Sequence, residues 1–143
     1  MSTITTLIGK QYPQKVIPLI ENARWEILIV IYDWRWYQDD PGATIQLFNQ
    51  KIIWKAQRGV KVRAILNNID TARILNENNI DARVKDFKKL LHTKLLLIDE
   101  NISVLGSHNF TKNAFERNLE CSVIIDDEEV NKIYREYFEN IWI

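Results

Sequence analysis

The chain has 143 residues, of which 46% are hydrophobic and 27% are charged. This length favours a single domain over residues 1–143, and the few Gly and Pro residues exclude fibrous and low-complexity chains. The longest apolar run, residues 27–32, is far shorter than the roughly 20 residues of a membrane span. The single cysteine excludes an internal disulfide, and the N-terminus lacks a secretory pattern, so we expect a cytoplasmic protein.

Charges are distributed unevenly along the chain although the net charge is zero. Residues 1–91 carry 14 basic and 9 acidic side chains, whereas residues 92–143 carry 5 and 10. Two basic clusters, at residues 51–63 and 83–94, could attract phosphate groups. Charge alone favours the simpler interpretation that these clusters are solvated helix and strand surfaces.

The hydrophobic pattern predicts alternating strands and helices. A helix begins near Pro13, residues 26–32 (EILIVIY) form a strand buried on both faces, and residues 33–42 form a loop. Residues 43–58 have helical spacing before Gly59, and residues 60–66 alternate as a strand, which completes a βαβ crossover. A short helix at residues 71–77 and a short strand at residues 82–87 follow. We therefore predict an α/β fold with a mixed, largely parallel sheet and helices on both faces.

Two further apolar runs, residues 91–98 and 102–109, predict a β-hairpin. A two-residue turn requires a positive φ, for which Asn101 is suited. That turn sets a register in which four polar side chains lie on one face in opposed pairs. The pairs are Lys94 with Ser107 and His92 with Asn109. A loop one residue longer or shorter would break the pairs. Residues 119–125 predict a last strand and residues 128–142 a closing helix.

The polar side chains of this hairpin suit chemistry on phosphate. The imidazole of His92 can act as a nucleophile or proton carrier, and the ammonium of Lys94 can neutralise charge on phosphoryl oxygens. Ser107 and Asn109 add neutral donors, and Gly106 leaves room for a ligand or another backbone. An isolated His and Lys pair would more often be structural.

The spacing of these residues resembles the signature of the phospholipase D superfamily. The matching positions are His92, Lys94 and Asp99 in H-x-K-x4-D, and Gly106, Ser107 and Asn109 in the G-S-x-N that follows. Six fixed positions make a chance match rare. Residues 112–120 (KNAFERNLE), which lead into an apolar strand, resemble the small nuclease-type members.

The resemblance implies covalent catalysis without a metal or other cofactor. His92 would attack phosphorus and form a phosphohistidine, and Lys94 with Asn109 would hold the non-bridging oxygens. Ser107 and Gly106 occupy family positions that contribute to substrate binding.

Two carboxylates complete the catalytic set that the resemblance implies. Glu120 matches a glutamate that orients the histidine. Asp99 matches the signature aspartate, although its place at the turn is consistent with a structural role.

The reaction also needs a group that protonates the leaving oxygen, and family members take it from a second copy of the motif. This chain has one copy. The other histidine, His108, would point to the opposite sheet face, which favours a structural or surface role. We therefore expect an obligate homodimer in which two His92 residues share one active site.

The sequence favours a metal-independent nuclease that acts on nucleic acid, with DNA preferred to RNA. A phospholipase D or phosphatidyltransferase acting on lipid is the second hypothesis, although it would need an acyl tunnel or an interfacial helix. A non-catalytic nucleic-acid-binding module is the third.

Several aromatic and sulfur side chains have two possible roles. Trp34 and Trp36 could stack on bases, although packing in the core or a dimer is slightly favoured. We predict that Cys121 is a buried small residue and that Tyr137 and Trp142 belong to the core.

Overall fold

The computed structural model describes residues 2–143, and its centre is a seven-stranded sheet. The strands are β1 (Thr3–Ile8), β2 (Glu26–Ile31), β3 (Lys61–Leu66), β4 (Asp81–Arg83), β5 (Lys94–Ile98), β6 (Ile102–Gly106) and β7 (Cys121–Asp126). The helices are α1 (Gln11–Glu21), α2 (Thr44–Ala56), α3 (Ile69–Asn76), α4 (Lys112–Glu116) and α5 (Glu128–Trp142). Across the sheet the strand order is β1-β7-β6-β5-β2-β3-β4.

Strand direction changes at β2, in the interior of the sheet. On one side, β2, β3 and β4 are parallel, as the βαβ pattern predicts. On the other side, β2 pairs antiparallel with β5, and the pairs through β6 and β7 to β1 are also antiparallel. The prediction of a mixed sheet is confirmed. The expectation that it is largely parallel is wrong, because the short β5–β6 connection joins antiparallel strands and β1 adds a further antiparallel pair.

Helices cover both faces of the sheet, as predicted. Helices α1 to α4 pack on one face, around a core that includes Phe48 and Phe115. Helix α5 covers the other face, where Phe138 packs with Leu28 and Leu97. Strand β2 contributes to both cores, which explains its unbroken apolar run. Within residues 2–143, no helix combines the length and apolar character needed to cross a membrane.

Two elements have no counterpart among the predictions. Strand β1 is mostly exposed at the sheet edge, so its Thr-rich sequence lacks an apolar run. Helix α4 has five residues, too few to establish a helical period. Its start is fixed by Thr111, whose hydroxyl accepts a hydrogen bond from the Ala114 N–H at 3.1 Å.

The β5–β6 hairpin has a three-residue loop, and the predicted two-residue turn is wrong. Ile98 pairs with Ile102, so the register is shifted by one residue from the predicted one. The positive φ falls on Asp99, at 53°, and not on Asn101. The physical reason is the Asp99 carboxylate, which accepts hydrogen bonds from three backbone N–H groups at the start of β2 and so holds Asp99 in the loop.

Candidate active site

The polar residues predicted to form the site gather at one rim of the sheet. His92 lies just before β5, and Lys94 is the first residue of that strand. Ser107 and Asn109 follow the end of β6, and Glu120 immediately precedes β7. Because β5 and β7 begin where β6 ends, these residues remain neighbours although the predicted cross-strand pairs are not formed.

His92 and Lys94 form the centre of the site. The His92 side chain is exposed, and the Lys94 Nζ lies 3.0 Å from its Nδ1 and 3.2 Å from its Nε2. A neutral imidazole has one acceptor nitrogen, so one of these contacts is a hydrogen bond at a time. Tyr32 packs beside them, with its ring centroid 4.8 Å from that of His92 and 5.4 Å from Nζ. A phosphate group arriving from solvent can meet the imidazole and the ammonium together.

Lys94 is less strongly basic than an ordinary lysine. Partial burial lowers its pKa, and the carboxylate of Glu120 opposes that shift. Lys94 therefore supplies a positive charge beside His92 that has lost part of its hydration shell, and such a charge interacts more strongly with an anionic substrate than a fully solvated one does.

Glu120 contacts Ser107 and not His92. The Ser107 hydroxyl donates to Oε1 of Glu120 at 2.5 Å and accepts a hydrogen bond from the Cys121 N–H at 3.0 Å. Asn118 donates to Oε2 at 3.0 Å. Among the contacts of residues 2–143, none joins Glu120 to His92, so within one chain Glu120 does not orient the imidazole. It positions Ser107 and attracts the Lys94 ammonium.

Asn109 is held by the loop that follows β2. Its Oδ1 accepts a hydrogen bond from the Asp33 N–H at 3.2 Å, and the contacts of residues 2–143 leave its Nδ2 without an acceptor. That amide nitrogen can donate to a substrate oxygen. Asn109 therefore has the donor that its predicted role requires, although it does not lie opposite His92 on a paired strand.

Two motif residues prove to have backbone roles. Asp99 lies at the other end of β5 from His92, so it cannot take part in the chemistry directly within this chain. A Cβ atom at Gly106 would lie 2.4 Å from the Cα of Ser122. Of the two interpretations of Gly106, close approach of a neighbouring backbone is therefore the one the structure supports.

His108 is a structural residue, as favoured from the sequence. The ring is buried against Tyr12, with Nδ1 2.6 Å from the Ser122 Oγ and Nε2 2.9 Å from the Gly9 carbonyl oxygen. Burial lowers the pKa of His108, and the hydrogen bond to Gly9 opposes that shift. Both ring nitrogens have partners inside the protein, so His108 is not available to a substrate.

The remaining side chains are divided between core and surface. Trp34 is buried, and its Nε1 donates to Asn49 at 2.8 Å, whereas Trp36 is only partly buried. Trp142, the last residue of α5, is partly buried, and its ring stacks on that of Phe138 with the centroids 5.4 Å apart. The predictions that Cys121 and Tyr137 are buried are wrong. Cys121 is exposed at the first position of β7, and Tyr137 is exposed beside His92 in one of the cavities described next.

Two cavities open at this rim, and they differ in character. One, of about 680 Å³, contains His92 and Lys94 and is otherwise lined mainly by apolar and aromatic side chains of β5, β6 and α5. The other, of about 620 Å³, contains Asn109 and is lined mainly by polar side chains. The sequence offered Trp36, in the second cavity, as a residue that could stack on bases. It did not identify Tyr32, Tyr137 or the other loop residues of the second cavity, because single aromatic and polar residues outside the motif carry no spacing signal.

A family model described as "Cardiolipin synthase, PLD-like domain" matches residues 16–142. The chain belongs to the phospholipase D superfamily. It is 31% identical over 107 residues to mitochondrial cardiolipin hydrolase of Canis lupus familiaris. The matched segment covers 71% of this chain and 39% of that protein. The chain therefore spans about two fifths of the length of that relative.

Two solved structures have the same fold. NucT from Helicobacter pylori superposes with a TM-score of 0.79 at 24% identity, covering 98% of this chain and 95% of that one. Nuc from Salmonella typhimurium, a phospholipase D family member, superposes with a TM-score of 0.84 at 19% identity, covering 99% and 95%. At these identities the likeness establishes the fold.

Proposed function

We propose that this protein is a nuclease that cleaves phosphodiester bonds of nucleic acid through a phosphohistidine on His92, without a metal ion. The observation that carries the proposal is the exposed imidazole with an ammonium 3.0 Å away, at the family's nucleophile position. The amide of Asn109 adds a second donor at the same rim. The polar cavity beside Asn109 favours a substrate with hydrogen-bonding groups around its phosphate.

In the first step, an unprotonated ring nitrogen of His92 attacks phosphorus. The new N–P bond forms as the bond from phosphorus to the leaving oxygen breaks, and an acid delivers a proton to that oxygen. Lys94 and the Nδ2 of Asn109 bind the non-bridging oxygens, where negative charge increases in the transition state. In the second step, water attacks phosphorus, the N–P bond breaks, and the group that acted as acid removes the proton from water.

We propose that the acid is His92 of a second copy of the chain. His108, the other histidine, is buried with both ring nitrogens hydrogen-bonded, so it cannot serve. A two-fold axis at the rim brings two His92 side chains together, with one as nucleophile and one as acid. The apolar cavity is continuous with His92, and Ile133 at its edge is 64% exposed, so a second copy seated there would cover that surface.

The test of catalysis compares the wild-type protein with His92→Ala in EDTA. Single-stranded DNA, double-stranded DNA, RNA and cardiolipin vesicles are incubated separately with each protein. We expect cleavage of nucleic acid that persists in EDTA and is lost in His92→Ala. Cleavage that requires a divalent metal, or that survives in His92→Ala, would contradict the proposed mechanism. A phosphohistidine trapped by acid quenching and detected by mass spectrometry would locate the covalent bond.

The test of the dimer uses two matched isoleucines. Ile133 on α5 is 64% exposed beside the site, and Ile69 on α3 is 61% exposed and lines neither rim cavity. Ile133→Glu should convert the protein to a monomer in light scattering and abolish activity, whereas Ile69→Glu should do neither. A wild-type protein that is fully active as a monomer would exclude a shared active site.

The apolar cavity also supports one alternative, cleavage of a phospholipid. An acyl chain could lie against the apolar side chains beside His92, and the relatives whose names mention cardiolipin are consistent with such a substrate. Turnover of cardiolipin vesicles without cleavage of any nucleic acid, lost in His92→Ala, would favour this alternative over the nuclease.

A further inference from the structure

The polar cavity beside Asn109 does not include His92 or Lys94, and apart from Asn109 its lining residues have no role in the chemical steps described above. It has a volume of about 620 Å³. Its walls come from the loop after β2 and from the segment around α4. The main contributors are Arg35, Trp36, Tyr37, Asn109, Asn113 and Asn118. The carboxylate of Asp33, which is paired with Arg35, and the hydroxyl of Thr111 also line the cavity. One guanidinium, two aromatic side chains and three amides at one space provide both hydrogen bonds and flat surfaces to a ligand.

The loop that carries Arg35 is fixed to the active-site segment. The Phe110 N–H donates to the Asp33 carbonyl oxygen at 3.0 Å, and the Arg35 N–H donates to the Phe110 carbonyl oxygen at 3.0 Å. Trp34, which lies between Asp33 and Arg35 in the chain, is fully buried in the core. Because Asn109 directly precedes Phe110, these backbone hydrogen bonds fix the main chain of Arg35 relative to Asn109.

The partner of the Arg35 side chain orients it but occupies only one of its donor nitrogens. Its Nε donates to Oδ1 of Asp33 at 2.7 Å, and Asn68 donates to the same carboxylate oxygen at 3.1 Å. The side chain of Arg35 is still 60% exposed, and its two terminal nitrogens have no acceptor among residues 2–143. Two adjacent N–H donors of this kind match two oxygens of one phosphate.

We propose that this cavity is the subsite for the nucleotide next to the scissile bond, with Arg35 binding its phosphate and the neighbouring amides contacting its sugar and base. The proposal rests on the proposed nuclease function. It makes Arg35 a substrate-binding residue that discriminates a polynucleotide, which has a phosphate on either side of the scissile one, from a diester with a single phosphate.

The decisive measurement is binding, because it does not depend on turnover. A fluorescent single-stranded DNA octamer is titrated into His92→Ala and into the His92→Ala, Arg35→Gln double variant. We expect Kd to rise by roughly tenfold on loss of the Arg35 charge, as for other hydrogen bonds to charged groups. Arg35→Lys, which keeps the charge but loses the paired donors, should give an intermediate value.

A matched arginine controls for a nonspecific effect of charge. Arg73 on α3 is 68% exposed, is paired with Asp70 at 3.7 Å and lines neither rim cavity. Arg73→Gln should leave Kd unchanged. Equal Kd values with and without Arg35, or equal losses from Arg35→Gln and Arg73→Gln, would overturn the proposal.

Steady-state kinetics separate this inference from the proposed function. In Arg35→Gln, KM for the octamer should rise about tenfold, as Kd does, with a much smaller effect on turnover of bis(p-nitrophenyl) phosphate, which has one phosphate. Equal losses on both substrates would overturn the subsite. No turnover of any diester by the wild type would contradict the proposed function, while the binding comparison would still decide the role of Arg35. If loss of the Arg35 guanidinium weakened binding to cardiolipin vesicles but left binding to DNA unchanged, the cavity would be assigned to a lipid headgroup. That result would overturn the proposal of a nucleotide subsite.

Discussion

Substitution of Asp99, the aspartate of the family signature, should cost stability and not chemistry. Its carboxylate accepts hydrogen bonds from the N–H groups of Arg24, Trp25 and Glu26 at 3.0, 2.8 and 3.1 Å. In Asp99→Ala these three donors lose their acceptor, at about 1 kcal/mol each. Alanine at the φ of 53° costs about 1 kcal/mol more. We expect the free energy of unfolding to fall by about 4 kcal/mol.

Two further substitutions at this position separate the two contributions. Asp99→Gly loses the same hydrogen bonds, but glycine adopts the positive φ without strain. Its free energy of unfolding should therefore fall by about 3 kcal/mol. Asp99→Asn keeps one oxygen acceptor and also tolerates the positive φ, so its free energy of unfolding should fall by only about 1–2 kcal/mol. This variant should remain folded even if the other two do not.

The assay is urea unfolding followed by tryptophan fluorescence, together with kcat at a temperature where each variant is folded. We expect a lower unfolding midpoint with an unchanged slope, and kcat within about threefold of the wild type. An Asp99→Ala variant with the same urea midpoint of unfolding as the wild type would refute the hydrogen-bond argument. A folded Asp99→Asn with kcat reduced on the order of 100-fold would show that Asp99 acts in the chemistry.

Three other predictions follow from single residues. Gly106→Ala should lower the free energy of unfolding by about 1–3 kcal/mol in thermal melts, because its Cβ would overlap Ser122, whereas Gly42→Ala, which meets nothing within 4 Å, should be nearly neutral. Burial lowers the pKa of His108, so the unfolded state takes up a proton more readily. The stability advantage of the wild type over His108→Asn should therefore be full above pH about 6.5 and shrink as pH falls below it; an advantage independent of pH would contradict the argument. The lowered pKa of Lys94 predicts that kcat/KM declines at a pH below the ordinary lysine value of 10.5, and an alkaline limb that Lys94→Arg does not shift would assign the decline to another group.

The hairpin shows why the residues of the candidate site could be grouped from the sequence although the register of the hairpin could not. A register one residue away from the predicted one removes the opposed pairs of polar side chains. The site persists because its residues come from several chain segments that end at the same rim of the sheet. Ser107 is positioned by Glu120 from the neighbouring strand connection, and Asn109 by the loop after β2, at contacts 13 and 76 residues apart in sequence.

Local pattern determined the order of most helices and strands, the α/β class, the family and the position of the proposed nucleophile. These features depend on residues close in sequence, such as the apolar run of β2 or the two-residue spacing of His92 and Lys94, so periodicity and motif spacing can reveal them. Strand β1 and helix α4 were missed because one lacks an apolar pattern and the other is too short to have one.

Only the tertiary structure decided the antiparallel pairings of β2 with β5, β6 with β7 and β7 with β1, the backbone role of Asp99, the partner of Glu120 and the two cavities of opposite character. Each depends on a contact between distant segments, such as the hydrogen bond from Arg24 to Asp99 across 75 residues. An aspartate that fixes the start of a strand and one that acts in catalysis cannot be told apart in a sequence. Their surroundings in the folded chain distinguish them.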